Sequence, residues 1–209
     1  QYVHFPQFNL DRTAVAEAGP LNRIWSRLAG PTVDRRGADA GSSIPESTTI
    51  LANSQWTADV FDAIYDVRPT VAYPPVDPID CDRQWRDREP GIVAIGRIAP
   101  DKRFRDAIEV VDRVRQQGYD LHLHIAGSTP PAYRSYVDRV ATAAEDRPYV
   151  DFERNVARSR IRELLCSHRF GLNMKKREHF GMAVAEYVAA GMLPFAPASA
   201  RRSPAETRM

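Results

Sequence analysis

From Gly91 onward the chain alternates two kinds of segment, with little between them. "GIVAIG", "DLHLHIAG", "YVDFE", "FGLNM" and "MLPFAP" are apolar, β-branched runs of strand length. Between them, "RDAIEVVDRVRQQG", "AYRSYVDRVATAAE", "RSRIRELLCSH" and "FGMAVAEYVAAG" repeat apolar residues at helical spacing. A helix that follows each strand returns the chain to the starting edge, so successive strands run parallel and the helices cover the sheet. Right-handed crossovers then gather all the strand C-termini on one edge, where open α/β sheets bind ligands. This pattern predicts an α/β fold with a parallel sheet.

The first part of the chain is less regular. "QYVHFP" reads as a strand, and "PLNRIWSRLAG" as a helix carrying Leu21, Ile24, Trp25 and Leu28, stopped by Gly30. Residues 31–47 are rich in Gly, Pro and Ser and read as a loop. "TTILANS" is a strand ending in Asn53-Ser54, a suitable N-cap for a helix over "QWTADVFDAIYD". "PTVAYPPVD" is a further short strand, stopped by prolines. "PIDCDRQWRDREPG" is charged and aperiodic and reads as an interdomain linker. Two domains follow from this, residues 1–85 and 86–209. The chain opens on Gln1 and enters a strand at once, so a longer parent chain is expected.

Bulk properties exclude several function classes. The 209 residues are 43% hydrophobic and 27% charged, with a formal net charge of +2, so nothing demands nucleic acid as a partner. Only three of the 29 basic residues are lysines, Lys102, Lys175 and Lys176, which makes each one worth individual attention. No apolar run approaches the roughly 20 residues of a membrane span. Cys81 and Cys166 are far apart and sit in no CxxC pair, so neither a disulfide framework nor a zinc site is implied. A reducing cytoplasm is the simpler expectation.

Chemistry-bearing residues fall where the predicted strands end. In "AIGRIAPDKRF", Gly96-Arg97 closes a strand and Lys102 follows five residues later. Gly96 lets a ligand approach the backbone, and Arg97 and Lys102 can converge on one anion, Arg with a bidentate fork suited to phosphate. Two solvated surface cations are the plainer alternative. In "REHFGMAVAEYVAAG", Glu178 lies in the loop after a strand, and His179, Phe180 and Gly181 enter a helix whose first N–H groups suit a diphosphate. Glu178 can accept bonds from hydroxyl groups there. Glu186 lies two turns further on, among Ala, Val and Tyr, and a partly buried carboxylate needs a donor. The alternatives are a helix-start acid for Glu178 and a polar-face residue for Glu186. His4 ends a strand before a proline, and a lone histidine is more often structural. His122 and His124 alternate on one strand and read as packing or surface residues, a metal pair lacking a third ligand nearby in sequence. His168 is expected to end a helix and compensate its dipole.

Taken together, these segments resemble the retaining glycosyltransferases of family 4, with the GT-B fold. "ILANSQWTADVFDAIYDVRPTVAYPPVD", "IVAIGRIAPDKRFRDAIEVV" and "EHFGMAVAEYVAAG" stand in family order, and Glu178 and Glu186 match its E-x7-E motif. "YVHFP" and "YPPVD" look closest to the α-1,2-mannosyltransferases that extend lipid-linked oligosaccharides from GDP-mannose. The resemblance implies two Rossmann-like domains, the first for the acceptor and the second for a GDP- or UDP-sugar. It implies that Gly96, Arg97 and Lys102 hold the donor diphosphate and that Glu178 contacts the transferred sugar. The backbone of Phe180, Gly181 and Met182 would lie near sugar and phosphate, Glu186 on the ribose, and His4 near the reacting centre. No metal or cofactor is expected, and stereochemistry is retained. The partners implied are a nucleotide sugar and a glycan or lipid-linked acceptor, with the protein cytoplasmic and peripheral at the cytoplasmic membrane face.

The sequence departs from the family at both ends. After "FAP" the chain reads "ASARRSPAETRM" where the family continues with a Gly-Gly-Pro turn and a glutamate, and the family's first glycine-rich loop is missing. A fragment is therefore expected, and a non-catalytic nucleotide-sugar-binding remnant is the alternative to an enzyme.

Overall fold

The structure is a computed structural model that describes residues 2–3, 48–176 and 178–197. The expected helix over 20–30 and the loop over 31–47 lie outside these residues. Chain contacts divide the described part into two units: residues 2–3, 48–75 and 178–180 form the first, and 76–176 with 181–197 form the second. The expected boundary lies at 85/86.

The first unit carries three short parallel strands in the order β1 (Tyr2–Val3), β2 (Leu51–Ala52) and β3 (Thr70–Val71). Helix α1 (Gln55–Tyr65) joins β2 to β3. Its N-terminus is set as the sequence predicts: the Ser54 hydroxyl accepts the Thr57 N–H at 3.0 Å. Asn53 adds a bond from the Thr57 hydroxyl at 2.6 Å, so the buried cap has its polar groups paired. Ile50, Phe61 and Tyr65 form a small core.

The second unit follows the predicted alternation. Strand β4 (Glu89–Ile95) leads to α2 (Phe104–Gln116), β5 (Leu123–Gly127) to α3 (Arg134–Glu145), and β6 (Val150–Arg154) to α4 (Arg158–Ser167). Strand β7 (His168–Leu172), α5 (Met182–Ala189) and β8 (Leu193–Phe195) complete it. All neighbours are parallel, in the order β6-β5-β4-β7-β8. Side chains alternate across β4, so Ile92 and Ala94 face one layer while Val93 and Ile95 face the other. Phe104, Ile108 and Val111 of α2 and Val137 and Val140 of α3 cover the first face. Ile161, Leu164 and Leu165 of α4 with Ala183 and Tyr187 of α5 cover the second. Burial on both faces explains why the strands read as continuous apolar runs.

Two expectations are corrected here. The aperiodic stretch taken for a linker is stitched to the second unit. Cys81 and Cys166 are joined by a disulfide with Cα atoms 5.2 Å apart, which sequence spacing did not imply. Spacing along the chain is silent on this because the fold, not the sequence, brings residues 85 positions apart together. Ile79 packs into the second core layer, and the buried Arg88 guanidinium donates to the Ala190 carbonyl at 2.7 Å. Among the described residues no helix is long and apolar enough to cross a membrane.

Candidate functional site

The strand order of the second unit reverses between β4 and β7. From β4 the chain builds outward through β5 and β6, then returns to the other side of β4 with β7 and β8. Crossover connections on opposite sides of this junction lead away from each other and leave a crevice at the strand C-termini. A small depression lies there, lined by Ala94 and Ile95 of β4, by Leu172, Asn173 and Met174, and by Lys102 and Phe104.

Local geometry brings the cations to this edge. Gly96 ends β4 at φ 146°, a conformation that side chains rarely adopt, and turns the chain into a 3-10 turn over Pro100–Lys102. The Lys102 stem runs alongside, its Cε 3.7 Å from where a Gly96 Cβ would stand. The Phe104 N–H, at the start of α2, donates to the Tyr136 hydroxyl at 2.8 Å, so α3 fixes where that helix begins. Arg97 is exposed, lies 5.6 Å from the Tyr133 ring centroid and pairs with Asp101 at 3.5 Å. Lys175, just past β7, reaches the other Asp101 oxygen at 3.5 Å, so Asp101 bridges Arg97 and Lys175. The sequence marks Lys175 only as one of three lysines and gives it no role, although "NMKK" places it just after a strand.

Helix α5 starts later than "FGMAVAEYVAAG" suggests. Gly181 is its N-cap at φ 90°, so Met182, which is exposed, is the first helical residue and Phe180 stays outside. Its N-cap glycine brings no capping side chain and its first turn holds no acid, so Glu178 lies outside the first turn and is not a helix-start acid. Tyr187 anchors the helix. Its hydroxyl accepts the Ile95 N–H at 2.9 Å and donates to the Leu172 carbonyl at 3.3 Å, linking α5 to β4 and β7. Gly171 makes room, for a Cβ there would lie 2.3 Å from the tyrosine ring. Burial pushes the phenol pKa up, so the hydroxyl stays neutral and keeps its proton to donate. Beside it, Glu186 is mostly buried and finds the donor its position requires: Arg158, the first residue of α4, at 2.7 Å. Arg158 carries no signal in the sequence.

Gly96, Arg97, Lys102, Gly181, Met182 and Glu186 thus all belong to the second unit. Glu178 and Phe180 group with the first, where Phe180 lies 5.9 Å from Tyr73 and the neighbouring His179 stacks on Trp56 at 5.5 Å. His4 lies outside the described residues. His168 departs from expectation: α4 ends at Ser167, and His168 opens β7. It is buried, and burial pushes its imidazole down to about 4, so at neutral pH it is no cation for the helix dipole.

The fold and this edge define a doubly wound α/β protein with basic side chains at its switch point, suited to an anionic ligand. Residues 78–203 match the family model described as "Glycosyl transferases group 1", and the chain belongs to that family. It is 27% identical over 217 residues to the GDP-Man:Man(3)GlcNAc(2)-PP-Dol alpha-1,2-mannosyltransferase of Eremothecium gossypii, covering 95% of this chain and 37% of that protein. The chain therefore spans about two fifths of that relative's length. Among solved structures, a glycosyltransferase from Rickettsia africae superposes with a TM-score of 0.66 at 15% identity, covering 83% of this chain and 50% of that one. Staphylococcus aureus TarM, solved with UDP, gives 0.64 at 14% identity over 98% of this chain and 37% of that one. These likenesses bear out the α/β fold of GT-B type.

Proposed function

We propose that this chain is the donor-binding part of a retaining glycosyltransferase of family 4, which moves mannose from GDP-mannose to a lipid-linked glycan. One observation carries the reading: in a member of this family, Arg97, Lys102 and Lys175 gather at the β4–β7 switch point of a parallel sheet. Choice of sugar and acceptor rests on the named relative, a GDP-mannose-dependent enzyme acting on a dolichol-linked oligosaccharide.

The chemistry follows from charge. Cleavage of the sugar–phosphate bond leaves an oxocarbenium-like sugar and adds negative charge to the diphosphate. Fixed cations stabilise that leaving group without reorganising, which is why no metal is required. In this reading Arg97 and Lys102 hold the diphosphate beside the Gly96 backbone, with the uncapped amides of α5 at Gly181 and Met182. Glu186 binds the ribose hydroxyls, Glu178 the sugar, Phe180 lines the sugar subsite, and His4 lies near the reacting centre. Asp101 is the partner that Arg97 exchanges, and Arg158 the partner that Glu186 exchanges, when donor binds. The acceptor hydroxyl attacks from the leaving-group face, so configuration is retained. A lipid-linked acceptor brings the protein to the cytoplasmic face of a membrane as a peripheral protein.

Calorimetry with GDP-mannose, UDP-glucose and UDP-N-acetylglucosamine tests the donor, with a polyprenyl-linked oligosaccharide assayed as acceptor. Saturable binding of GDP-mannose is expected, as is label transfer to the acceptor. Binding without transfer would favour a non-catalytic module. No binding of any sugar nucleotide would remove the proposal.

A further inference from the structure

Three histidines converge at the opposite edge of the sheet, at the strand N-termini. His122 directly precedes β5, His124 lies within it, and His168 opens β7 beside its register partner Glu89 on β4. Their ring centroids are 4.7 to 5.3 Å apart. One nitrogen from each ring lies within 4.8 Å of one from each of the others. We propose that His122, His124 and His168, with the Glu89 carboxylate as fourth ligand, form a structural binding site for a zinc-class transition-metal dication.

The orientation of each ring supports this. His168 Nδ1 lies 2.9 Å from the Leu164 carbonyl and 2.8 Å from the Ser167 hydroxyl. A proton on Nδ1, directed at that carbonyl, leaves the Nε2 lone pair facing away. Across from it, at 3.0 Å, stands His122 Nε2. Two imidazole nitrogens at that distance need a proton or a cation between them, and a metal ion takes the proton's place. His124 Nδ1 lies 3.3 Å from Glu153, which Arg160 holds in turn at 2.9 Å, so a proton on Nδ1 leaves Nε2 for a metal. Imidazoles whose second nitrogen donates to a carbonyl or carboxylate are the usual arrangement around zinc.

Carboxylates stand around the three rings. Glu89 Oε2 lies 3.5 Å from His122 Nε2 and 3.8 Å from His168 Nε2, and Asp151 lies 3.6 Å from His124. The C-terminal carbonyls of α4, negative by the helix dipole, end at the same place. The backbone also makes room: a Cβ on Gly91 would stand 2.2 Å from His122 Nε2 and 2.6 Å from His168 Cδ2. Three nitrogens and one carboxylate make a tetrahedral set, whose ligand atoms sit about 3.3 Å apart around zinc. Such an ion ties β4, β5 and β7 together at their N-terminal ends. It lies at the edge opposite the proposed donor site, so it is a staple and takes no part in transfer.

The chain is stripped with a chelator, kept oxidised so that no thiol competes, and titrated with Co2+ and then Zn2+. One equivalent of Co2+ is expected, with the visible bands of a tetrahedral nitrogen–oxygen site and no thiolate charge-transfer band, displaced by Zn2+. Zn2+ should raise the melting midpoint and chelator should reverse it. His122→Gln and His124→Gln, singly and as a double variant, should each weaken binding at least tenfold. No stoichiometric uptake by the parent chain, or unchanged uptake by the double variant, would overturn the site. Neither readout depends on sugar transfer, so failure here leaves the donor-site reading untouched, and the reverse.

Discussion

The Glu186 carboxylate meets the Arg158 guanidinium at 2.7 Å, with the acid mostly buried and the arginine mostly exposed. The pair joins the middle of α5 to the start of α4 and fixes where the carboxylate points. Glu186→Gln keeps the shape and removes the charge. Charge-assisted hydrogen bonds contribute about 1.5–3 kcal/mol, so GDP-mannose affinity should fall about tenfold to a hundredfold. Guanine-free mannose 1-phosphate, which lacks the ribose, should bind the variant as well as the parent. Equal losses for both ligands would place Glu186 elsewhere than on the ribose.

Arg97 and Lys102 should behave differently from Glu186, since their proposed partner is the diphosphate. Arg97→Ala removes an exposed side chain whose visible contacts are Asp101 and the Tyr133 ring, so the unfolding midpoint should hardly move. Sugar transfer by the protein carrying either Arg97→Ala or Lys102→Ala should be abolished. Normal transfer rates in purified variants would refute the assignment.

The Cys81–Cys166 disulfide closes a loop of 85 residues. On a chain-entropy basis a link of that span stabilises by about 4–5 kcal/mol, chiefly by restricting the unfolded chain. Reduction, or the paired Cys81→Ser and Cys166→Ser substitution, should lower the midpoint in urea with both variants alike. A reduced protein as stable as the oxidised one would show that packing of Ile79 and Arg88 alone holds the segment.

Asp112 on α2 sets part of the acid limit of the second unit. Burial alone would raise its pKa, but the Arg147 guanidinium, with bonds of 2.9 and 3.0 Å, and the Tyr149 hydroxyl at 2.7 Å hold it below the ordinary 3.8. The folded state therefore binds this proton less readily than the unfolded chain. The stabilisation is complete above pH 3.8 and is lost as pH falls through the lower folded value. Asp112→Asn should cost about 1–3 kcal/mol at neutral pH and flatten the acid limb of the stability curve. A variant with an unchanged acid limb would assign that limb to other carboxylates.

The sequence by itself determined the alternation of β4 through β8 with α2 through α5, because helical and strand periods are local properties written in the order of apolar residues. The cap at Asn53-Ser54 was legible for the same reason. So was the placement of Gly96, Arg97 and Lys102 just after β4 and of Glu186 within α5, since each follows from where an element starts or stops. Other features had no local signature. The bridge from Arg97 through Asp101 to Lys175, the donor Arg158 and the Cys81–Cys166 disulfide each join residues from different βα units. The same holds for the three histidines: one lies on β5 and one just before it, and the third comes 44 residues beyond His124 and opens β7 rather than ending a helix. Strand order decided these contacts. Only once β7 pairs with β4, on the side away from β5, do loops distant in the chain become neighbours at both edges of the sheet, and no local propensity encodes that choice.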